Sequence, residues 1–376
     1  MSSPLRSSSG VVALLVACLL FIAGSSARAE RLLVVAPHPD DEAIALGGWI
    51  ADRIASGAEV WVAVLTDGEA FPKAVRASRL ARGPFLKATH FLKLGRLRRT
   101  EGHHALDRLG IPLARRFFLA YPNRRLWRLA TSPRPTEIIR SGATRQRFGI
   151  AEWAGERRPP HPFTRERLLA DLGAVLERSR PEIILLPHPR DSNADHRAAA
   201  LLFGEVLSRR DFRGEVRGYL VHQGSRYRFP RRLGYQPHQD LLRPPGFPPP
   251  VTYLPSPAGL AAKEAALRSH RSQIRLRDRF LVSFIRRNEY WWPLRLADLT
   301  GIRRLPPDLM EQHGSEETGD PPARRVGPVE PAGPTTGLAP RHGPTAPYGA
   351  RRHATIRPAQ PAEEMPHGSR HQAHPG

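Results

Sequence analysis

Two short segments of the sequence concentrate histidine and carboxylate side chains at close spacing. The first, PHPDDE, contains His38, Asp40 and Asp41, and the second, PHPRDSNADHRA, contains Asp191 and His196. Imidazole nitrogens and carboxylate oxygens are the ligands that hydrolytic metal sites use. Either segment alone is also typical of a turn or of the polar start of a helix. Two such segments that both mix His with Asp indicate a catalytic metal site.

The two segments together can supply a complete set of metal ligands. A hydrolytic zinc site uses three protein ligands and leaves one position open for water, and His38, Asp41 and His196 would provide two imidazoles and one carboxylate. Asp40 is adjacent to a ligand in sequence and cannot easily share the same metal, so it could accept the proton of the activated water instead. The only cysteine, Cys18, lies in an N-terminal apolar run, so a thiolate ligand is not expected.

Strand-like apolar runs alternate with helix-like runs along the chain. They predict the elements that position the two segments. The predicted strands have both faces covered, because their apolar residues do not alternate with polar ones. A β-α-β order of this kind predicts an α/β fold with a parallel, doubly wound sheet, in which sites lie beyond the carboxyl ends of the strands. The predicted strands are 31–37, 58–68, 115–122, 181–189 and 215–224, and the predicted helices are 41–57, 98–110, 165–179 capped by Thr164, 194–210, 258–275 and 278–289.

The ends of the chain differ in composition from its body. Residues 1–29 combine Arg6, an apolar run and small residues before Ala29, which predicts a signal peptide and export to the periplasm or the extracellular space. An uncleaved anchor and a lipoprotein signal at Cys18 are the alternatives. Residues 30–304 are predicted to form the catalytic domain, and 305–376, rich in Pro, Gly, Arg and His, a disordered tail.

The chain carries a formal net charge of +23. Such a charge favours polyanionic partners, including an anionic glycan or glycolipid of the cell envelope, and association with a membrane surface. A compositional preference for arginine is the alternative explanation. The sequence contains no recognisable nucleic-acid recognition motif, so no specific nucleic-acid partner is expected. The oligomeric state does not follow from the sequence.

Several segments together resemble one enzyme family. APHPDDEAIALGG resembles the first signature of the PIG-L/LmbE-like de-N-acetylases, and HPRDSNADHRAA resembles their second motif. The segments LTDGEA, RRTEGHHALDRLG, FFLAYPN and YLVHQG follow in the family's order, as do Lys263, SQ (272–273) and FLVSFIRRNE (280–289). The resemblance therefore covers roughly residues 31–290. It implies a Rossmann-like, mainly parallel sheet with helices on both faces and one divalent metal ion, usually zinc. The implied reaction is the hydrolysis of the N-acetyl group of an N-acetylated amino sugar, typically glucosamine.

The resemblance also implies roles for individual residues. It assigns His38, Asp41 and His196 as metal ligands and Asp40 as the general base, and Arg98 matches a position that often faces substrate. Among the remaining polar residues, Asp67 is a candidate substrate contact or a turn residue. Asp191 would orient His196 or Asn193, or form a turn, and Asp195 is predicted to cap the helix that carries His196.

One position departs from the family pattern. Asn193 stands where the family often has a second histidine three residues before the metal-binding one. An asparagine can donate a hydrogen bond to an oxyanion, but it cannot supply a proton. The leaving amine would then receive its proton from Asp40 or from His222, which could alternatively be a packed strand residue. A glycan- or polyanion-binding module without catalysis is the alternative function that this departure leaves open.

Overall fold

Five parallel strands form the centre of a mixed sheet. The computed structural model describes residues 29–301, except 225–228, 232, 275 and 277–278. The parallel strands lie in the order β9-β8-β1-β2-β3, and β11 and β10 extend one edge while β5 and β6 extend the other, all antiparallel. The strands are β1 (Arg31–Ala36), β2 (Glu59–Thr66), β3 (Arg116–Tyr121), β4 (Phe148–Gly149), β5 (Glu152–Trp153), β6 (Glu156–Arg157), β7 (His161–Pro162), β8 (Ile183–Pro187), β9 (Glu215–Tyr219), β10 (Val251–Tyr253) and β11 (Glu289–Pro293).

Helices cover both faces of this sheet. Along β1, Leu32 and Val34 belong to one buried core and Leu33 and Val35 to the other. Helices α1, α3 and α7 contribute to the first core, and α4, α5 and α6 to the second. The helices are α1 (Asp41–Ala55), α2 (Pro72–Ala77), α3 (Ala88–Arg108), α4 (Leu126–Thr131), α5 (Arg165–Ser179), α6 (Ala194–Arg209), α7 (Pro257–Ser269), α8 (Arg271–Ile274) and α9 (Leu296–Thr300). The predicted α/β, Rossmann-like fold is confirmed.

One predicted element agrees with the structure to the residue, one begins earlier than predicted, and one is wrong. Helix α5 spans 165–179 as predicted, and the Thr164 hydroxyl accepts a hydrogen bond from the backbone N–H of Arg167 at 3.1 Å. Helix α3 begins at Ala88, ten residues earlier than predicted. The predicted helix over 278–289 is wrong, because a single 3₁₀ turn covers 281–284 and β11 begins at Glu289. Strand pairing with β9 and β10 outweighs the local helical spacing there.

Helix α1 contains a break that a distant side chain stabilises. Leu46 has non-helical backbone angles, φ −139° and ψ 24°, and two glycines follow it. The N–H groups of Gly48 and Trp49 donate to the carboxylate of Glu289 on β11 at 2.9 and 2.7 Å. Lys263 on α7 also donates to Glu289, at 2.7 Å, and both charged side chains are fully buried. One buried ion pair therefore joins α1, α7 and β11.

The predicted signal peptide and tail lie almost wholly outside the described residues. The described part begins at Ala29 and ends at Gly301. Within that part, no helix combines the length and the apolar character needed to cross a membrane.

Candidate metal centre

The first motif forms a tight turn at the carboxyl end of β1. The hydroxyl of Thr66, at the end of β2, donates to the carbonyl of Pro37 at 2.9 Å and fixes the start of the turn. Asp40 then adopts φ 142° and ψ −24°, a backbone region that is strained for any residue except glycine. This turn brings the backbone N–H of His38 within 2.8 Å of Asp41 Oδ2. The strained backbone conformation therefore belongs to Asp40, which lies beside the proposed metal ligands.

His38, Asp41 and His196 meet although 158 positions separate the two histidines. His196 lies in the first turn of α6, which follows β8, the direct neighbour of β1 in the sheet. Asp41 Oδ2 is 3.1 Å from His38 Nδ1 and 3.1 Å from His196 Nε2, and the two nitrogens are 3.4 Å apart. All three residues are buried.

This set of donor atoms fits a divalent metal ion. Two imidazole nitrogens and one carboxylate oxygen converge from three side chains, which is the ligand chemistry of catalytic zinc sites with an open position. Burial favours neutral His196, but the negative charges of Asp41 and Asp191 outweigh it and raise the pKa of His196 well above its usual value. The site therefore favours a positive charge at this position, which a bound cation would supply.

Each of the two imidazole rings has a further carboxylate close to its second nitrogen. Asp191 Oδ2 lies 3.2 Å from His196 Nδ1, and Asp195 Oδ2 lies 3.3 Å from His38 Nε2. Asp191 also accepts two backbone hydrogen bonds, both 3.0 Å long, from Val221 and His222 beyond the end of β9. A carboxylate behind a metal-binding histidine fixes the orientation of the ring. Asp191 thus lies where its predicted orienting role requires it.

The prediction that Asp195 caps α6 is wrong. Asn193 is the capping residue, because its side-chain oxygen accepts a hydrogen bond from the N–H of Asp195 at 2.9 Å. The Asp195 carboxylate instead accepts the N–H of Leu126, the first residue of α4, at 3.1 Å, and the amide of Asn123 at 3.0 Å. Asp195 therefore connects His38 to the segment that follows β3.

Arg98 and Asp40 form a buried pair beside the proposed ligands. Arg98 donates to Asp40 Oδ2 at 2.9 Å and to the carbonyls of Pro39 and Gly68 at 3.1 and 2.7 Å. Gly68 has φ +61°, and a Cβ there would collide with the guanidinium group. Burial raises the pKa of Asp40 to about 7, although the Arg98 charge partly opposes this shift.

A cavity of about 410 Å³ opens above these residues. Its volume is in the usual range for small-molecule sites. His38, Asp40, Asp41, Arg98, Asn193 and His222 line it, and His196 lies buried beneath them. The imidazole of His222 stacks parallel to Phe280 at 5.5 Å between ring centroids and makes an edge contact with His196 at 4.9 Å. Burial lowers the pKa of His222 to about 4.

Asp67, the candidate substrate contact, does not reach the cavity. Its carboxylate accepts two hydrogen bonds from the guanidinium of Arg99, at 2.9 and 2.8 Å. Asp67 is absent from the cavity wall formed by the described residues.

The sequence did not single out several residues of the cavity wall. Asn123 follows the carboxyl end of β3, so the same strand-end argument that located the two motifs could have found it. Gln273 and Phe280 lie after α7, in stretches that the sequence predicted as helix and matched to the family without assigning a site role to either residue. Their position follows only from the packing of α7 and α8 against the sheet's carboxyl edge.

Buried His and Asp side chains lie at the carboxyl edge of a doubly wound sheet, with a second carboxylate beside them and a cavity above. This arrangement is typical of a metal-dependent hydrolase site. Residues 33–207 match the family model described as PIG-L: GlcNAc-PI de-N-acetylase. This match covers a little under half of the chain. It confirms the predicted resemblance to PIG-L de-N-acetylases and the predicted enzyme class, a hydrolase acting on amides.

Comparison with solved structures finds several deacetylases at low sequence identity. An A40926 pseudoaglycone deacetylase is 18% identical and covers 70% of this chain and 96% of its own, with a TM-score of 0.46. The zinc-inhibited form of teicoplanin deacetylase is 16% identical, with coverages of 70% and 97% and a TM-score of 0.45. The N,N'-diacetylchitobiose deacetylase of Pyrococcus horikoshii is 18% identical, with coverages of 78% and 96% and a TM-score of 0.42. No curated protein matches the chain.

Proposed function

We propose that the protein removes the acetyl group from an N-acetylated amino sugar carried on a glycan or glycolipid, with zinc as the metal. The observation that carries this proposal is the convergence of His38, Asp41 and His196 to distances of 3.1–3.4 Å beside Asp40. The family model, whose description names an N-acetylglucosamine lipid, supports the amino sugar as substrate.

The residues around the proposed metal have separate roles in the reaction. When bound, the metal would polarise the acetamide carbonyl and make water more acidic. The carboxylate of Asp40 faces the cavity, is held by Arg98, and takes the proton of the attacking water as the general base. Asn193 uses its side-chain oxygen as the cap of α6, which leaves its amide N–H₂ to stabilise the oxyanion.

The leaving amine needs one proton to depart. Asp40 can return the proton that it accepted from water, because it lies on the same cavity wall as the proposed ligands. His222 is the second candidate by position, since its ring lines the cavity and contacts His196. Burial lowers the pKa of His222 to about 4, so its imidazole is neutral near pH 7, whereas Asp40 is protonated once it has taken the proton of water. Asn193 has no proton to give, so Asp40 is the better candidate for the acid step.

The cellular setting is proposed from the sequence alone. The apolar run and the Ala-Arg-Ala ending within residues 1–29 support export through a signal peptide. Export would expose the basic protein to cell-envelope glycans and glycolipids, and the charge of +23 favours anionic ones.

The direct test is acetate release from a panel of N-acetylglucosamine conjugates by the zinc-loaded protein. We expect Asp40→Asn to abolish release while retaining zinc, because the amide cannot accept the proton of water. We expect His196→Ala to lose both zinc and activity. Asp240→Asn is the matched control, since Asp240 pairs with Arg287 on the surface and has no contact with the proposed ligands.

Three results would contradict the proposal. They are acetate release by Asp40→Asn at the wild-type rate, stoichiometric zinc retained by His196→Ala, or glycan binding by the wild type without any acetate release. The last result would support the non-catalytic binding module instead.

A further inference from the structure

Residues 71–97 form a segment, here called the basic segment, that carries only positive charges. Within it, α2 and the first part of α3 enclose a small core of its own around Ala74, Val75 and Leu94. The segment contains no Asp or Glu, but it holds three of the four lysines of the chain. All seven of its basic side chains are exposed: Lys73, Arg76, Arg79, Arg82, Lys87, Lys93 and Arg96.

These charges lack the carboxylate partners that several other exposed arginines have. None of the seven forms an ion pair with a carboxylate within the described residues. By contrast, the exposed Arg209, Arg268 and Arg287 each pair with a neighbouring acidic side chain at 2.5–2.8 Å. A cluster of unpaired charges of one sign concentrates its electric field and attracts an anionic surface.

An exposed aromatic side chain lies in the middle of the charged cluster. Phe85 follows the Gly83-Pro84 bend and is 81% exposed, the largest value among the exposed large hydrophobic residues of the described part. Arg82 and Lys87 flank it in sequence. An exposed aromatic residue flanked by cationic residues is the composition of surfaces that insert into the headgroup region of a membrane.

The basic segment is continuous with the wall of the catalytic cavity at both of its ends. Phe71 begins the segment and lines the cavity, and Arg98, the residue after its last, lines the cavity and holds Asp40. Helix α2 also packs against α8, which contributes Gln273 to the same cavity. A surface bound to the basic segment would therefore lie beside the entrance for substrate.

We propose that the basic segment docks the protein on an anionic lipid bilayer, with Phe85 inserted between the headgroups. The docking does not depend on turnover, whereas delivery of a glycolipid to the cavity rests on the proposed function. A soluble polyanionic glycan would use the same charges, but it offers no apolar layer for Phe85. The exposed phenylalanine therefore favours the bilayer over the glycan.

Binding to vesicles tests this docking without any catalytic readout. The zinc-loaded, full-length mature protein is sedimented with phosphatidylcholine vesicles and with vesicles containing one quarter phosphatidylglycerol. Each basic side chain near an anionic surface contributes about fivefold to binding. We expect selective binding to the anionic vesicles and at least a tenfold loss in the triple variant Arg79→Gln, Arg82→Gln, Lys87→Gln. We expect Phe85→Ala to lose severalfold even when salt screens the charges.

A matched triple variant controls for overall charge. Arg108→Gln, Arg134→Gln and Arg178→Gln remove three exposed arginines that lie outside the basic segment, and vesicle binding should remain at the wild-type level. Equal binding to neutral and anionic vesicles, or equal losses in the two triple variants, would overturn the proposal. It would also be overturned if Phe85→Ala bound anionic vesicles normally while soluble dextran sulfate competed fully, since the surface would then be a glycan site.

Discussion

Arg98 holds the proposed general base in place. Its guanidinium group donates to Asp40 and to the carbonyls of Pro39 and Gly68, so it is fixed at three points. A planar group with several donors can satisfy such an arrangement, whereas the single ammonium group of a lysine cannot satisfy all three with the same geometry. The orientation of the Asp40 carboxylate therefore depends on this arginine.

At the residue scale, we predict that Arg98→Lys lowers kcat for deacetylation by about 100-fold, because a misplacement of about 1 Å in a reacting group can cost that much. Zinc content should stay at the wild-type level, since Arg98 does not contact the proposed ligands His38 and His196. Steady-state kinetics with metal analysis checks both.

Arg99→Lys is the matched control for this prediction. Arg99 is adjacent in sequence but pairs with Asp67 away from the cavity wall, so kcat should change little. Equal losses in the two variants would show that Arg98 has no special role in positioning Asp40.

Three elements of the fold depend on the carboxylate of Glu289. It accepts two backbone N–H groups at the break in α1 and the ammonium group of Lys263 on α7, all without contact with solvent. Removing one charge of a buried pair leaves the other uncompensated, which is far more damaging than removing a surface pair. The kink in α1 is therefore stabilised from outside the helix.

At the element scale, we predict that Glu289→Gln lowers the free energy of unfolding by about 3 kcal/mol, since it leaves the Lys263 charge buried without its partner. Urea unfolding followed by circular dichroism measures the change. Asp240→Asn removes one carboxylate charge from an exposed pair and should have a much smaller effect. The prediction fails if the two variants unfold at the same urea concentration.

The proposed metal site brings together residues that are far apart in the sequence. His38 and Asp41 follow the first strand, and His196 belongs to a helix 158 residues further along the chain. The three side chains converge only in the folded protein, so a metal that binds them stabilises the native state over the unfolded one.

At the scale of the whole molecule, we predict a higher melting temperature in zinc. Free zinc at 100 times its Kd adds about 2.7 kcal/mol to the stability, which raises Tm by about 5 °C for a domain of this size. Thermal unfolding with zinc and with a chelator measures the shift. His196→Ala should show no shift, and a shift of equal size in this variant would place the bound metal elsewhere.

The sequence predicted the parts of this protein that depend on local patterns. The strands that lead to His38 and to the second motif are apolar runs that end in polar clusters, and a parallel sheet necessarily brings such ends to one edge. The capping role of Asn193 and the contacts of Asp195 could not be predicted, because they depend on which of two nearby side chains reaches each helix end. Strand β11 was missed because its pairing with β9 is set by tertiary contacts rather than by its own residues.

The backbone at Asp40 limits which inactive variants are useful for trapping a substrate. At φ 142° a glycine would be free of strain, so Asp40→Gly would allow the turn between His38 and Asp41 to relax into other shapes. Asp40→Asn keeps the side chain's size and its contact with Arg98 while removing the proton acceptor. A crystallographer who wants the undistorted complex with bound substrate should therefore choose the asparagine.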